Sequence, residues 1–388
     1  MRLAIATTLL LAITPALALD AVTYKGTLGK YPILVELTDP GTGGVAGRYS
    51  YLAKGGDIPL DAAPRQGHAI VLAEEAPCTE TTCVQDDQGD IADVPIGATW
   101  QLTPGANGAL TGSWKPAGKG KALDLKLTPI GRRALPDDAE RTPLGLYNSF
   151  SEQVYADPAR AFDADNPYDQ AKFAVPLEEG PIQTLDGSSY RLVTDPRSKF
   201  GFPRIVALAD GSSPAALNAV LAQRHNTISS FAFDCLSQIY AGFGGNQYSA
   251  GMGPGTLGEY DGENVELHYL SPRLIDWSES GSTFCGGAYP NNHSDNFIVD
   301  VRTGQPLAMA KVFKDWVALN NLSDYDAAVD QAAARENAQD YSWAPGQSLI
   351  DYVLAHRVPD ADADYEAECG INDLIATNLG VRFESGDR

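Results

Sequence analysis

The sequence predicts an α+β fold with an all-β N-terminal part and a mixed C-terminal part. Two observations carry this prediction. Short apolar stretches separated by turn residues fill residues 20–130, whereas the longest helical pattern of apolar residues lies between residues 213 and 242. Short strands with regular turns between them are typical of an antiparallel meander that closes as a barrel or a sandwich.

Eight candidate strands make up the N-terminal β-rich domain, residues 19–130. Turn signals such as Asp39-Pro40-Gly41 and Gly118-Lys119-Gly120 separate them, and Leu123, Leu125 and Leu127 alternate so that they share one face. The predicted strands are Val22–Leu28, Pro32–Leu37, Val45–Leu52, Ile58–Leu60, His68–Leu72, Ala98–Leu102, Ala109–Trp114 and Ala122–Leu127. Residues 131–174 are charged and contain several prolines, and we interpret them as a connector.

Residues 175–388 are predicted to form an antiparallel sheet with one long packed helix and two further helices. The long helix begins after Ser213-Pro214, a helix-start signal, and ends near Gly242. The two further helices are Asp324–Asn337 and Ser348–His356. The predicted strands are Tyr190–Val193, Arg204–Leu208, Val265–Leu270, Leu274–Ser280, Phe297–Val301 and Thr377–Phe383.

The first 18 residues have the features of a secretory signal peptide. Arg2 precedes an apolar run from Leu3 to Ile13, and Ala16-Leu17-Ala18 is a cleavage site of small residues. We therefore expect a mature chain that starts at Leu19 and is periplasmic or secreted. No later stretch reaches 18 apolar residues, so no membrane span is expected in the mature chain.

The charge of the chain excludes one class of partner and favours another. The 50 Asp and Glu against 28 Lys and Arg give a net charge of −22. Such a chain cannot neutralise a row of phosphates, so a nucleic-acid binder is excluded. An acidic surface attracts cationic partners.

Five cysteines are compatible with disulfide bonds in an exported protein. Cys78 and Cys83 can close a small loop. Cys235 is predicted to pair with Cys285, with Cys369 as the alternative partner of Cys235. The odd count leaves one thiol without a partner.

No motif assigns catalytic residues, a cofactor or a metal. The five histidines are scattered, and the phosphate-loop, calcium-loop and G-x-S-x-G patterns are absent or incomplete. A Ser/His triad is recognised by geometry and not by sequence position, so an enzyme stays open as an alternative.

The segment Phe284–His293 is the most distinctive candidate binding site. Gly286 and Gly287 permit close approach of the backbone to a partner, and Tyr289 is a large amphipathic side chain. The predicted contacts are Gly286, Gly287, Tyr289, Asn291, Asn292 and His293. The alternative is a structural corner between two strands.

Residues 267–313 resemble an extracytoplasmic domain family of unknown function. The resemblance rests on Tyr269-Leu270-Ser271, Gly286-Gly287-Ala288-Tyr289-Pro290, Asp300 with Thr303-Gly304 and Leu307, and Phe313. It extends over about residues 175–388. Members of that family form the sensing region of a lysozyme-responsive anti-sigma factor and accompany a peptidoglycan deacetylase. Tyr289 replaces the histidine of the family pattern. The family has a further return strand, whereas this chain stops at Arg388, so a truncated C-terminus is expected.

The resemblance and the charge together imply a non-enzymatic binding protein of the cell envelope. The implied partner is a cationic lysozyme-like protein or a peptidoglycan-related ligand. Two alternatives stay open: a cell-wall hydrolase or esterase with a carboxylate or Ser/His site, and a purely structural envelope protein.

Overall fold

A computed structural model describes residues 20–40, 44–79, 81–83, 91, 94–136, 139–156, 158–244, 263–283, 291–358 and 368–386. The predicted signal peptide and Leu19 lie outside these residues. In the described part of the chain, antiparallel sheets and helices form an α+β fold, as the sequence predicts.

The N-terminal part is a closed barrel of eight antiparallel strands. Each strand pairs with the next along the chain, and the last pairs with the first. This confirms the predicted meander and selects the barrel over the sandwich. The strands are β1 (Asp20–Leu28), β2 (Tyr31–Thr38), β3 (Gly47–Tyr51), β4 (Asp57–Gln66), β5 (Ala69–Glu75), β6 (Ile96–Pro104), β7 (Leu110–Pro116) and β8 (Leu123–Ala134).

Alternating apolar side chains fill the barrel. Ile33, Val35 and Leu37 of β2 join one buried cluster around Trp100 of β6, which is fully buried. Leu125 and Leu127 belong to the same cluster and Leu123 packs against it, so their predicted common face is confirmed. Side chains are enough to fill a barrel of eight strands.

Helices α1 (Pro143–Ala156) and α3 (Pro167–Phe173) of the connector pack on the outside of the barrel, and the short helix α2 (Pro158–Ala161) packs on α1. Helix α1 contacts β3 and β4, and α3 contacts β1, β2 and β8. The connector therefore has its own regular structure on the barrel wall.

A charge network is buried between the barrel wall and these helices. Arg48 of β3 donates to Glu36 at 2.8 Å, to Asp57 at 3.0 Å and to Asp169 of α3 at 2.7 Å. Lys172 of α3 donates to Asp57 at 2.8 Å. Burial alone would raise the pKa of Glu36, but Arg133 and Arg48 outweigh it and lower that pKa to about 2. In this network the buried basic side chains are Arg48, Arg133 and Lys172, and the buried acidic side chains are Glu36, Asp57 and Asp169.

The C-terminal part contains two small sheets and the long helix α4 (Ala215–Ser237). One sheet contains β9 (Glu178–Glu179), β10 (Gln183–Leu185), β11 (Ser188–Thr194) and β12 (Gly201–Ala207). The other has the order β13 (Glu263–Leu270), β14 (Leu274–Thr283) and β15 (Asn291–Asp300). Leu217 and Leu221 of α4 share a buried cluster with Phe202 of the first sheet and Trp277 of the second. The predicted long helix therefore holds both sheets together.

The remaining chain forms a hairpin and short helices. These are α5 (Met309–Val312), β16 (Trp316–Asn321), α6 (Gln331–Glu336), β17 (Tyr341–Pro345), α7 (Gln347–His356) and α8 (Ile371–Asn378), with β16 paired to β17. Helix α7 matches the predicted helix Ser348–His356.

Two predicted elements are wrong in this region. The helix predicted over Asp324–Asn337 starts only at Gln331, because the Asp330 side chain caps it by accepting from the amides of Ala332 and Ala333. The strand predicted over Thr377–Phe383 is absent. Helix α8 continues to Asn378, and the Phe383 amide then bonds to the Asp276 side chain instead of a neighbouring strand.

The cysteines follow the predicted pattern where the structure describes them. Cys78 and Cys83 are disulfide-bonded, with their Cα atoms 5.4 Å apart. Cys235 is also disulfide-bonded, and its predicted partner Cys285 lies outside the described residues. Cys369 is exposed and free, which excludes the alternative pair of Cys235 with Cys369.

Candidate functional site

The predicted binding segment is only partly described. Gly286, Gly287 and Tyr289 lie outside the described residues. Asn291, Asn292 and His293 begin strand β15. Neighbouring residues of a strand point to opposite faces, so Asn292 and His293 do not share one face of the sheet.

His293 hydrogen bonds to a buried carboxylate across the sheet. Its Nε2 lies 3.0 Å from an oxygen of Glu263, at the start of β13. Gly281 of β14 lies opposite both residues, and its missing side chain lets them meet. The Glu263 side chain is 1% exposed. Burial raises the pKa of Glu263, and the hydrogen bond from His293 opposes that rise.

A second buried carboxylate, that of Glu279, lies on the same face of the sheet, two residues before Gly281 in β14. Glu279 accepts two hydrogen bonds from Arg224 of α4, at 2.8 and 2.9 Å, and one from the Trp277 indole at 2.9 Å. The Arg224 guanidinium also lies 4.7 Å from the centroid of the Phe297 ring. These contacts tie α4 to the sheet.

Each of these two carboxylates already has a cationic or imidazole partner, which is the arrangement expected of a structural support. Among the described residues, no group of three or more His, Cys, Asp or Glu side chains could hold a metal ion. On this face, the contacts of His293 therefore hold the start of β15 against β13.

The opposite face of the same sheet is polar and partly covered. Residues 381–385, which we call the strap, lie against it. The Phe383 amide donates to Asp276 at 2.6 Å, and the Ser385 amide donates to the His268 carbonyl at 3.0 Å. Asn292 and Asn296 of β15 are exposed on this face.

A cleft of about 520 Å³ lies between β8 and the connector helices and contains three arginines. Each arginine already contacts a carboxylate: Arg132 contacts Asp39, Arg133 contacts Glu36 and Arg160 contacts Asp165. Because a carboxylate already neutralises each arginine, the cleft is a poor binding site for an anion.

The turn after β16 combines exposed apolar side chains with acids. We call residues 319–330 the acidic turn. Leu319, Leu322 and Tyr325 are 51%, 48% and 66% exposed. Asp324 and Asp326 lie beside Tyr325 and are also exposed. From residue 315 to residue 334 the chain contains no lysine or arginine.

The acidic turn belongs to the most acidic part of the chain. Residues 315–386 contain 14 Asp and Glu against three Arg. Leu319, Leu322 and Tyr325 therefore place three exposed apolar side chains in a strongly negative segment.

Sequence reasoning missed the acidic turn because residues 324–330 were assigned to a helix. In such a helix, Tyr325 and Val329 would share one face and could be buried. The Asp330 cap signal and the charge density of the segment could have revealed the turn.

No protein-family model, curated protein or solved structure matches this chain. The resemblance to the extracytoplasmic domain family therefore stays a prediction, and the function has to be argued from the surfaces described above.

Proposed function

We propose that this chain is an exported binding protein of the cell envelope that captures a cationic lysozyme-like protein. The acidic turn is the observation that carries the proposal. It places exposed Tyr325 and Leu322 among aspartates, with no positive charge nearby in the sequence.

Each component of this surface has a separate role in binding. The acids steer a cationic protein toward the turn and so raise the association rate more than the final affinity. Tyrosine is enriched among the residues that contribute most to interface energy, because it buries a large ring and keeps a polar end. Tyr325 is therefore the proposed anchor.

The Cys78–Cys83 disulfide supports export of the chain, because disulfides persist in oxidising compartments. Together with the predicted signal peptide, it supports action in the periplasm or outside the cell. Among the described residues, no helix is both long and apolar enough to cross a membrane.

The experiment measures association of the mature protein with a cationic lysozyme at low and at moderate salt. The test variant is the double substitution Asp324→Asn with Asp326→Asn. The control is Asp124→Asn with Glu140→Gln, which removes one exposed charge from the barrel and one from the connector. We expect the test variant to associate about three- to ten-fold more slowly at low salt, and the control to change little.

Salt provides an independent check, because exposed charges are screened within about 10 Å at 0.1 M ionic strength. The difference between the test variant and the wild type should shrink as salt rises. Equal slowing by both double variants would mean that only net charge matters and would contradict a site at the acidic turn. Binding of muropeptides, and not of lysozyme, would favour the peptidoglycan-related ligand instead.

A further inference from the structure

Four polar residues come together on the polar face of the β13–β15 sheet. Glu266, Ser278 and Asn296 lie directly opposite one another in neighbouring strands. The register of β13 shifts between Leu267 and Tyr269, so His268 is the extra residue of a bulge. Bulges of this kind re-aim a side chain, and here the imidazole of His268 turns toward Ser278.

The distances match the roles of a serine nucleophile and its base. His268 Nε2 lies 2.7 Å from Ser278 Oγ, which is hydrogen-bond distance. His268 Nδ1 lies 4.0 Å from a carboxylate oxygen of Glu266. With the proton on Nδ1, the Ser278 hydroxyl donates to Nε2 and Glu266 faces the protonated nitrogen.

The three side chains differ in solvent exposure as such a site requires. The His268 side chain is only 7% exposed, so its orientation is held by the sheet, whereas Glu266 is 65% exposed and free to rotate. Ser278 is half-buried and accessible from the polar face. The Glu266 contact is longer than a hydrogen bond, and such contacts often tighten only when a substrate binds.

We propose that Ser278, His268 and Glu266 form an acyl-transfer site that hydrolyses short-chain esters of polyhydroxylated alcohols. The alcohol class follows from the exposed amides of Asn292 and Asn296 on this face, because carboxamides hydrogen bond well to hydroxyl groups. This activity would be separate from the capture of a cationic protein by the acidic turn.

The reaction needs only the ester and water. Ser278 Oγ attacks the ester carbonyl carbon while its proton passes to His268 Nε2. The bond from the carbonyl carbon to the alcohol oxygen then breaks, and the alcohol leaves with the proton from Nε2. Water attacks the acyl-serine, gives a proton to Nε2, and the carboxylic acid leaves as Ser278 recovers its proton.

Two neighbours assist these steps. Glu266 is a positioning residue, because its carboxylate orients the imidazole once it closes on Nδ1 and stabilises the imidazolium that forms. Asn296 Nδ2 is the assigned donor to the oxyanion. In this structure it donates to the Val381 carbonyl of the strap at 3.2 Å and also hydrogen bonds to the Asp276 side chain, so the strap must shift and the Asp276 bond must break for Asn296 to turn to the substrate.

The experiment treats the full mature protein with a fluorophosphonate probe and follows hydrolysis of p-nitrophenyl acetate. We expect the probe on the peptide that contains Ser278, and a loss of at least about 100-fold in hydrolysis for Ser278→Ala. The matched control is Ser280→Ala, on the same strand and face, which should keep the wild-type rate and labelling. Melting temperatures of both variants establish that they fold.

Glu266→Gln separates positioning from mere structural support. It should lower the rate about ten-fold or more and move the pH of half-maximal rate downward, since the carboxylate no longer favours the imidazolium. The proposal is overturned if the wild type is not labelled, if Ser278→Ala is labelled like the wild type, or if Ser280→Ala loses activity equally.

Discussion

Arg48 of β3 and Asp169 of α3 are 121 residues apart in the chain, and their side chains meet at 2.7 Å with both fully buried. The pair joins the barrel wall to the connector. Arg48 donates to Oδ2 of this carboxylate, whereas Asp169 Oδ1 has no hydrogen-bond partner among the described residues. Burial raises the pKa of Asp169 to about 6, although Arg48 opposes the rise.

Arg48→Met should strongly destabilise the protein. The substitution leaves Asp169 buried without its cation, and breaking a buried pair in this way typically costs about 3–5 kcal/mol. Urea unfolding monitored by tryptophan fluorescence measures the free energy of unfolding, and Trp100 in the barrel core reports on it.

The control for Arg48→Met is Arg132→Met, because Arg132 is 54% exposed and pairs with Asp39 at 2.8 Å. Exposed pairs contribute about 0–1 kcal/mol, so this variant should unfold almost as the wild type does. If both variants lose the same stability, the buried network does not hold the connector to the barrel.

Much of the barrel could be predicted from the sequence, because its information is local. Alternation of Leu123, Leu125 and Leu127 and the turns between strands act over a few residues. The ion pair between Arg48 and Asp169 depends on tertiary packing. From sequence alone, a charged residue in a strand is expected to be exposed, because the helix that covers it is not yet known.

The candidate sites show the same limit. Ser278 and His268 are ordinary residues of two predicted strands, and only the bulge at His268 brings them together. The sequence does not predict the acidic turn, because Ala327 and Ala328 favour a helix. In the structure the helix starts only after Asp330, whose side chain caps it.

Stability should fall as pH rises from about 6.5 to 8.5, and Glu75 should account for much of the fall. Glu75 Oε2 accepts from the Gly242 amide at 2.8 Å, which ties β5 to the chain after α4. Burial raises the pKa of Glu75 to about 8, and a hydrogen bond with Asp61 adds to the rise. The unfolded carboxyl has its ordinary pKa of 4.5. The folded state therefore holds a proton that the unfolded state has lost, and this stabilisation disappears as pH rises through the folded value.

The variant Glu75→Gln tests whether ionisation of Glu75 lowers the stability as pH rises. Its amide oxygen can still accept a hydrogen bond from the Gly242 amide, whereas its side chain cannot ionise. Melting temperatures at pH 5.5 and 8.5 should differ less in Glu75→Gln than in the wild type. Asp234, whose pKa burial raises to about 6, contributes with the same sign at lower pH and is unchanged in the variant. An equal pH dependence in both proteins would contradict the assignment to Glu75.

Native alkylation without reductant should modify Cys369 alone. Cys369 is exposed and free, whereas Cys78, Cys83 and Cys235 are in disulfides. Peptide mapping should then join Cys235 to Cys285, a bridge that closes about 50 residues and is worth about 4 kcal/mol in the chain-entropy model. Recovery of Cys235 and Cys285 as two alkylated peptides would remove this pairing.

The final prediction separates the acidic turn from the 286–293 segment as the lysozyme-binding surface. Tyr325→Ala removes a ring that is 66% exposed, so it should leave the melting temperature nearly unchanged. If the turn is the binding surface, complex dissociation should become about ten-fold faster or more, which is the scale for loss of a tyrosine anchor.

Tyr289→Ala is the matched change in the segment that the sequence singles out. Faster dissociation in Tyr289→Ala, with Tyr325→Ala unchanged, would transfer the site to that segment. A large fall in melting temperature of Tyr289→Ala, with binding by the folded molecules intact, would instead make Tyr289 a core residue of the strand corner and leave the acidic turn as the binding surface.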